Sequence, residues 1–324
     1  MLKYTNFKKG EPNLEKLKNC LDNGGHYSSL CAGNTLICQN GNIELKYRLI
    51  TERIVKRYLV MLKTRVITGG FITIIIAGVV LLSHIPWVLN TAIACLSLLA
   101  AYELFRATGL KGNKPVYYIS CASALFISFI TLPGYPYIIT ILFIAAVLLF
   151  ANLMARVNTL KSAGNAISVM IFIMIVFFFK TMSAVRAMEN GLYLLGTVFL
   201  VTAVTDIAAY FIGKGCGRHK LAPTISPKKT IEGSIGGTLS AIVILMLAAI
   251  ILKNNTSMTV NFGNLLLYLL TASLIGQFGD LAMSSIKRIA GIKDYGNLLT
   301  GHGGILDRFD SLLFVLPYTY LFCL

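Results

Sequence analysis

The sequence predicts an all-α, polytopic helical membrane protein of about nine transmembrane helices with its amino terminus in the cytoplasm. Three observations predict it. Of 324 residues, 56% are hydrophobic and only 13% charged, and the mean hydropathy is +0.73, so a soluble protein of this size could not clothe its surface. The apolar residues gather in runs of roughly 17–25, the length a helix needs to cross about 30 Å of hydrocarbon. Such solid runs also exclude a β-barrel, whose strands alternate. Finally, Lys and Arg fall almost entirely on one side of the path those runs define.

The spans are expected at about 66–84, 87–105, 116–132, 137–155, 166–185, 192–212, 235–252, 262–283 and 306–324. Pro86 separates the first two so closely that they must form a helical hairpin. Pro133, Gly134 and Pro136 break the chain between the third and fourth. With the amino terminus inside, residues 1–65 and the loops near 106–114, 156–161, 214–229 and 287–308 hold 26 of the 29 basic residues. Only Lys180, Arg186 and Lys253 fall on the other side.

Residues 1–60 are polar, basic and rich in Asn and Gly, without the apolar core of a signal peptide. They read as an extension, either a disordered arm or one carrying a basic amphipathic helix over 43–60. Residues 61–190 then form an N-terminal group of helices and residues 191–324 the catalytic transmembrane region. The net charge of +16 suits anionic lipid or an anionic substrate rather than nucleic acid. Seven scattered cysteines without a C-x-x-C spacing read as reduced thiols.

The chain has only thirteen acidic residues, six of them after Asn190: Asp206, Glu232, Asp280, Asp294, Asp307 and Asp310. A carboxylate at membrane depth costs about 2.5–3.5 kcal/mol on insertion scales, so it stays where it binds something. Spans six and eight carry Asp206 and Asp280 near their inner ends, and span nine starts with Asp307 and Asp310, three apart and expected on one face. Nearby loops supply Lys214, Arg218, Lys220, Lys228, Lys229, Lys287, Arg288, Lys293 and Arg308. Carboxylates converging among cations suit Mg²⁺ bridging a polyphosphate. The alternative, an internal salt-bridge network, leaves several cations unpaired because the acids are outnumbered.

Ser226-Pro227 before Lys228-Lys229 reads as an N-cap and first-turn proline opening a helix, with Glu232 in its first turns. Its lysines either bind an anion or simply snorkel. Gly301-His302-Gly303-Gly304 lets backbone N–H groups approach a ligand, or forms a tight re-entrant turn. His302 is open between acid–base work and a local hydrogen bond.

These segments, taken together, resemble the phosphatidate cytidylyltransferase (CDP-diacylglycerol synthase) family. The pattern runs Ser284-Ser285-Ile286-Lys287-Arg288, then Lys293-Asp294-Tyr295-Gly296, then Leu299-Thr300-Gly301-His302-Gly303-Gly304-Ile305-Leu306-Asp307-Arg308-Phe309-Asp310. Gln277-Phe278-Gly279-Asp280-Leu281 precedes it. Asp206-Ile207-Ala208-Ala209-Tyr210, Gly217-Arg218-His219-Lys220-Leu221-Ala222-Pro223 and Ser226-Pro227-Lys228-Lys229-Thr230-Ile231-Glu232-Gly233 form an upstream block. The resemblance covers about 61–324. Two positions depart from the family pattern: Ile207 stands where Ser or Thr is usual, and Thr300 where Pro is usual. Met61-Leu62-Lys63-Thr64-Arg65 looks like the usual start of such proteins, which makes residues 1–60 an extension or an upstream mis-start.

The resemblance implies transfer of cytidylyl from CTP to phosphatidic acid, giving CDP-diacylglycerol and pyrophosphate for phospholipid biosynthesis, by metal-assisted attack of the lipid phosphate on the α-phosphorus. It implies Asp206 and Asp280 as metal ligands for Mg²⁺, with Asp307 either a third ligand or a partner standing behind them, room for a second, monovalent or divalent cation, and Lys287 and Arg288 beside them as catalytic residues. Lys220, Ser226, Lys228, Lys229, Lys293, Asp294, His302, Gly303, Gly304, Arg308 and Asp310 are the expected substrate-binding residues, with Asp294 and Asp310 either touching substrate or orienting cations. The partners are CTP, phosphatidic acid and bilayer lipid, with no nucleic acid and a homodimer allowed. The location is the cell (inner) membrane, multi-pass, with the active site facing the cytoplasm. A CTP-dependent lipid kinase of the polyprenol or phytol type is the nearer rival. An ion-coupled transporter is the remoter one, because the outer halves of the spans hold almost no ionisable group.

Overall fold

The computed structural model describes residues 67–109, 114–130, 135–155, 165–255, 260–296 and 303–324. The chain divides into two units, 1–60 and 61–324, and every described residue belongs to the second. The expectations for residues 1–60, the Met61–Arg65 start, Thr300 and His302 lie outside the described residues.

Among the described residues there are nine helices and one small hairpin. The helices are α1 (Ile67–His84), α2 (Pro86–Ala107), α3 (Lys114–Phe129), α4 (Tyr135–Ala155), α5 (Asn165–Arg186) and α6 (Gly191–Cys216). The hairpin strands β1 (Lys220–Ala222) and β2 (Ser226–Thr230) follow, then α7 (Ile231–Asn255), α8 (Phe262–Ile289) and α9 (Leu306–Phe322). Helices α1, α2, α5, α6, α7 and α8 are long and apolar enough to cross a membrane. Large apolar side chains such as Phe71, Phe126, Leu148, Phe211 and Leu247 are exposed over the outside of the bundle. Such a surface would be untenable in water, and the protein is a multi-pass membrane protein.

Local chemistry sets the helix ends. Pro86 is the first residue of α2, where its missing N–H costs nothing. Asn261 caps α8, its Oδ1 accepting from the N–H groups of Gly263 (3.0 Å) and Asn264 (3.2 Å). The hairpin differs from the sequence expectation. Ser226 and Pro227 do not open a helix; they lie on β2, antiparallel to β1 with Lys220 opposite Thr230 and Ala222 opposite Ser226. Helix α7 begins only at Ile231. A two-stranded hairpin has only edges, so Pro227 sits there without removing a needed ladder bond.

Helices α5 and α9 run through the middle of the core. Phe178 of α5 packs edge-on to Phe314 of α9 at 5.7 Å between ring centroids, and Phe179 to Phe309 at 6.1 Å. Phe172 of α5 meets Phe105 of α2 at 5.2 Å. Tyr268 of α8 shares a 2.8 Å hydrogen bond with Thr319 of α9. Helices α6 and α7 approach so closely that a Cβ on Gly233 would lie 2.6 Å from Ala209 O, and one on Gly237 2.7 Å from Thr205 O. Small residues at a seam allow this kind of approach between membrane helices.

The basic residues far from the site have structural tasks. Buried Lys180 donates to Ser128 O (2.9 Å) at the end of α3, a favourable charge for a helix carboxyl end. Arg186 donates to Ser83 Oγ (2.8 Å), and Lys253 lies 5.1 Å from the centroid of the Phe262 ring. At the other end of the bundle the carboxyl ends of α6 and α8, the hairpin and the amino ends of α7 and α9 come together.

Candidate active site

Three carboxylates from three helices meet at that end. Asp206 of α6, Asp280 of α8 and Asp310 of α9 are close enough that Asp310 feels the charge of both others and Asp206 that of Asp280. They grade from exposed to enclosed: Asp206 is exposed, Asp280 half-buried and Asp310 buried. Asp206 Oδ2 accepts from Ser311 Oγ (3.1 Å), and Asp310 Oδ1 from the N–H of Ser311 (2.9 Å). Asp280 Oδ1 accepts from Ser284 Oγ (3.2 Å).

The cation among them is Lys229, whose Nζ is 2.5 Å from Asp280 Oδ2 and whose charge also reaches Asp206. Alternation along β2 explains the choice of lysine: Lys229 turns inward, while Lys228 stands exposed. The hairpin is held by Glu232 at the start of α7. Its Oε1 lies 2.6 Å from His219 Nδ1 and accepts from the His219 backbone N–H at 3.1 Å. Arg218, Lys220 and Lys228 are left exposed around the opening, and Ser226 is half-buried. Arg308, in the first turn of α9, is exposed and its charge reaches Asp206.

Asp307 is held by contacts of its own. Its Oδ1 takes a 2.8 Å ion pair from buried Lys287, and its Oδ2 accepts from the N–H groups of Tyr295 and Gly304, both at 2.9 Å. Expected as a third ligand or as a partner behind Asp206 and Asp280, it is engaged by Lys287 of α8 and by the backbone of Tyr295 and Gly304, and Asp310 stands in the acidic group. The reason is its position in the first turn of α9, where a side chain bends back to free backbone N–H groups. Three-residue spacing fixes only the approximate azimuth of the pair.

Lys287 therefore braces the loop, although its charge reaches Asp310. Arg288 donates through Nε to Ile225 O (2.9 Å) and through Nη1 to Ile292 O (3.2 Å), tying the hairpin turn to the loop. Lys293 and Asp294 lie exposed on that loop. Tyr295 is buried, its hydroxyl donating to Met283 O (2.9 Å), and burial pushes its phenol far above the usual range. Gly303 has φ +84°, and a Cβ there would sit 3.0 Å from Asp307 Oδ2, so the turn needs glycine.

One residue of this end was missed from sequence. Glu103 of α2, 2% exposed, accepts from the N–H groups of Ile305 (2.8 Å) and Leu306 (2.9 Å) at the start of α9. An acid inside an otherwise apolar run was the signal that could have found it.

Among the described residues no group of three or more His, Cys, Asp or Glu side chains is arranged to enclose a metal by itself. The donor set nonetheless fits Mg²⁺, which takes one or two carboxylates and completes its shell with water and phosphate oxygens. Three mutually repelling carboxylates share the charges of Lys229, Lys287 and Arg308, of which Lys229 is in direct contact with Asp280, and a cation among them would relieve their repulsion.

The sequence profile of the cytidylyltransferase family matches residues 63–324. A phosphatidate cytidylyltransferase of Bacillus subtilis (strain 168) is 33% identical over 273 residues, covering 81% of this chain and 97% of that protein. The protein of the same name from Staphylococcus haemolyticus (strain JCSC1435) is 46% identical over 129 residues, 40% of this chain and 48% of that protein. The one from Staphylococcus aureus (strain COL) is 45% identical over 141 residues, 44% and 50% respectively. The matched stretch thus spans about half the length of the staphylococcal relatives and nearly all of the Bacillus one.

Proposed function

The chain belongs to the cytidylyltransferase family, and we propose that it transfers the cytidylyl group of CTP to phosphatidic acid, releasing pyrophosphate and leaving CDP-diacylglycerol in the membrane. A phosphate oxygen of the lipid attacks the α-phosphorus of CTP; that new P–O bond forms as the bond to the β-phosphate oxygen breaks, and pyrophosphate carries away the electron pair. The lipid phosphate is already a nucleophile, so the chain needs no serine–histidine pair. Positioning and charge neutralisation are the whole task.

The observation that carries this reading is the meeting of Asp206, Asp280 and Asp310 from three helices with Lys229 between two of them. Asp206 and Asp280 would hold Mg²⁺, with Asp310 adding its charge behind them; the ion would neutralise nucleotide phosphate charge there. Asp307 serves behind them, fixing Lys287 and the loop. Lys229 moves between Asp280 and substrate phosphate, while Lys220, Lys228 and Arg308 draw the triphosphate and lipid phosphate to the opening. Arg288, Lys293 and the Gly303–Gly304 backbone complete the anion-binding side. The exposed apolar faces beside Asp206, including Ile207, Tyr210 and Phe211, would lie along the acyl chains.

All nine helices cross the membrane in this reading, with residues 1–60 as an amino-terminal extension. The basic residues put the amino terminus and the site on the cytoplasmic side of the cell membrane. Detergent-solubilised protein supplied with Mg²⁺, phosphatidic acid and CTP labelled at the α- or γ-position tests it. Label from the α-position enters lipid if the reading is right. Label from the γ-position in lipid means a CTP-dependent lipid kinase, and label in neither means no transfer chemistry.

A further inference from the structure

Glu103 of α2 lies 202 residues before Ile305 and 203 before Leu306, the two residues it binds at the start of α9. Its carboxylate is spent on backbone: Oε1 accepts from Ile305 N–H and Oε2 from Leu306 N–H, the first donors of α9. These are the donors a helix start leaves without partners, and a negative charge there meets the positive end of the helix dipole. A side chain of α9 itself could have capped this end, but Ile305 at the cap position makes no side-chain cap.

The packing around the carboxylate is equally specific. A Cβ on Gly304 would lie 2.5 Å from Glu103 Oε2, and one on Gly296 2.6 Å from Oε1. Gly296 and Gly304 thus both close over one carboxylate, and at these two positions the missing side chain makes room for it. Asp307, whose charge reaches Glu103, grips the same loop from the other side through Tyr295 and Gly304. The two acids hold the segment that carries Lys287's partner and Arg308. The other charge near Glu103 is Arg106, one turn along α2.

We propose that Glu103 is a positioning residue for the reaction, its bidentate grip on Ile305 and Leu306 setting where α9 begins and therefore where Arg308 and Asp310 stand. This rests on the cytidylyl-transfer reading. An apolar residue would bury more cheaply at 103, so the carboxylate is kept for what it orients rather than for the stability of α2.

Glu103→Gln tests it, because the amide keeps the volume but sets an NH₂ against one of the two backbone N–H groups. The variant should run as a folded species on size exclusion, lose at least about tenfold in kcat, and need more Mg²⁺ for half-activation, since Asp310 moves with the start of α9. Deuterium exchange at the amides of Ile305 and Leu306 should quicken, with α6 unchanged. Wild-type kcat together with wild-type exchange at those amides would overturn the proposal. Should Glu103→Gln not fold, a cycle of Glu103→Ala and Gly304→Ala decides. The added methyl collides only while the carboxylate is present, so the double variant should exchange and turn over like Glu103→Ala alone; additive losses contradict the proposal. Absence of α-label transfer by the unaltered protein would strike the reaction instead, since exchange reads the grip without turnover.

Discussion

Lys229 Nζ lies 2.5 Å from Asp280 Oδ2, so a hairpin strand and the inner end of α8 are joined by an ion pair at the mouth of the acidic group. Each side chain is 24% exposed, but Lys229 Nζ itself is buried in the contact, so an exchange of partners has to open the pair. A substrate phosphate can take Lys229 while a metal takes Asp280. Lys229→Ala should lower kcat by about 10²-fold or more with little loss of folded protein, measured as initial rate per unit of monodisperse enzyme.

Asp280→Asn removes a carboxylate that both Asp206 and Asp310 sense. Turnover should fall below detection while expression and the size-exclusion profile stay unchanged. Wild-type turnover in this variant would remove Asp280 from the metal site.

The two acids of α9 should behave differently. Asp307 shares a buried ion pair with Lys287, and breaking such a pair by removing one partner costs about 3–5 kcal/mol. Asp307→Asn should therefore lower the thermal midpoint sharply, with the surviving enzyme keeping the wild-type Mg²⁺ dependence. Asp310→Asn should do the reverse, raising the Mg²⁺ needed for half-activation about tenfold or more. Thermal melts and Mg²⁺ titrations on the same preparations separate them.

Lys253 lies at the far end of the bundle over Phe262, a contact worth about 0.5–1 kcal/mol at an exposed site. Lys253→Ala should leave kcat and KM within twofold of wild type. A larger effect on steady-state rates would mean that the far end takes part in the reaction.

Much of this arrangement could be read from the sequence because hydrocarbon imposes simple rules. Long apolar runs and Pro86 give helix positions within a few residues, and the cost of a carboxylate at membrane depth singles out Asp206 and Asp280. What escaped depends on pairing and contacts that the local pattern does not encode. Ser226-Pro227 has the local chemistry of a helix start, and only pairing with Lys220–Ala222 makes it a strand. The different roles of Asp307 and Asp310 follow from which backbone donors the loop presents, and periodicity does not encode that. Glu103 stands apart from the carboxyl-terminal acids, although its setting in an apolar helix carries the same signal as Asp206.

Binding of Mn²⁺ with CTP, followed by electron paramagnetic resonance, reads the acidic group without requiring turnover. Wild-type protein should bind the metal–nucleotide pair, Asp206→Asn and Asp280→Asn should each weaken it at least about tenfold, and the double variant should lose less than the sum. Wild-type affinity in both single variants would contradict the account, for it would mean that carboxylates from separate helices meet there without gripping a metal.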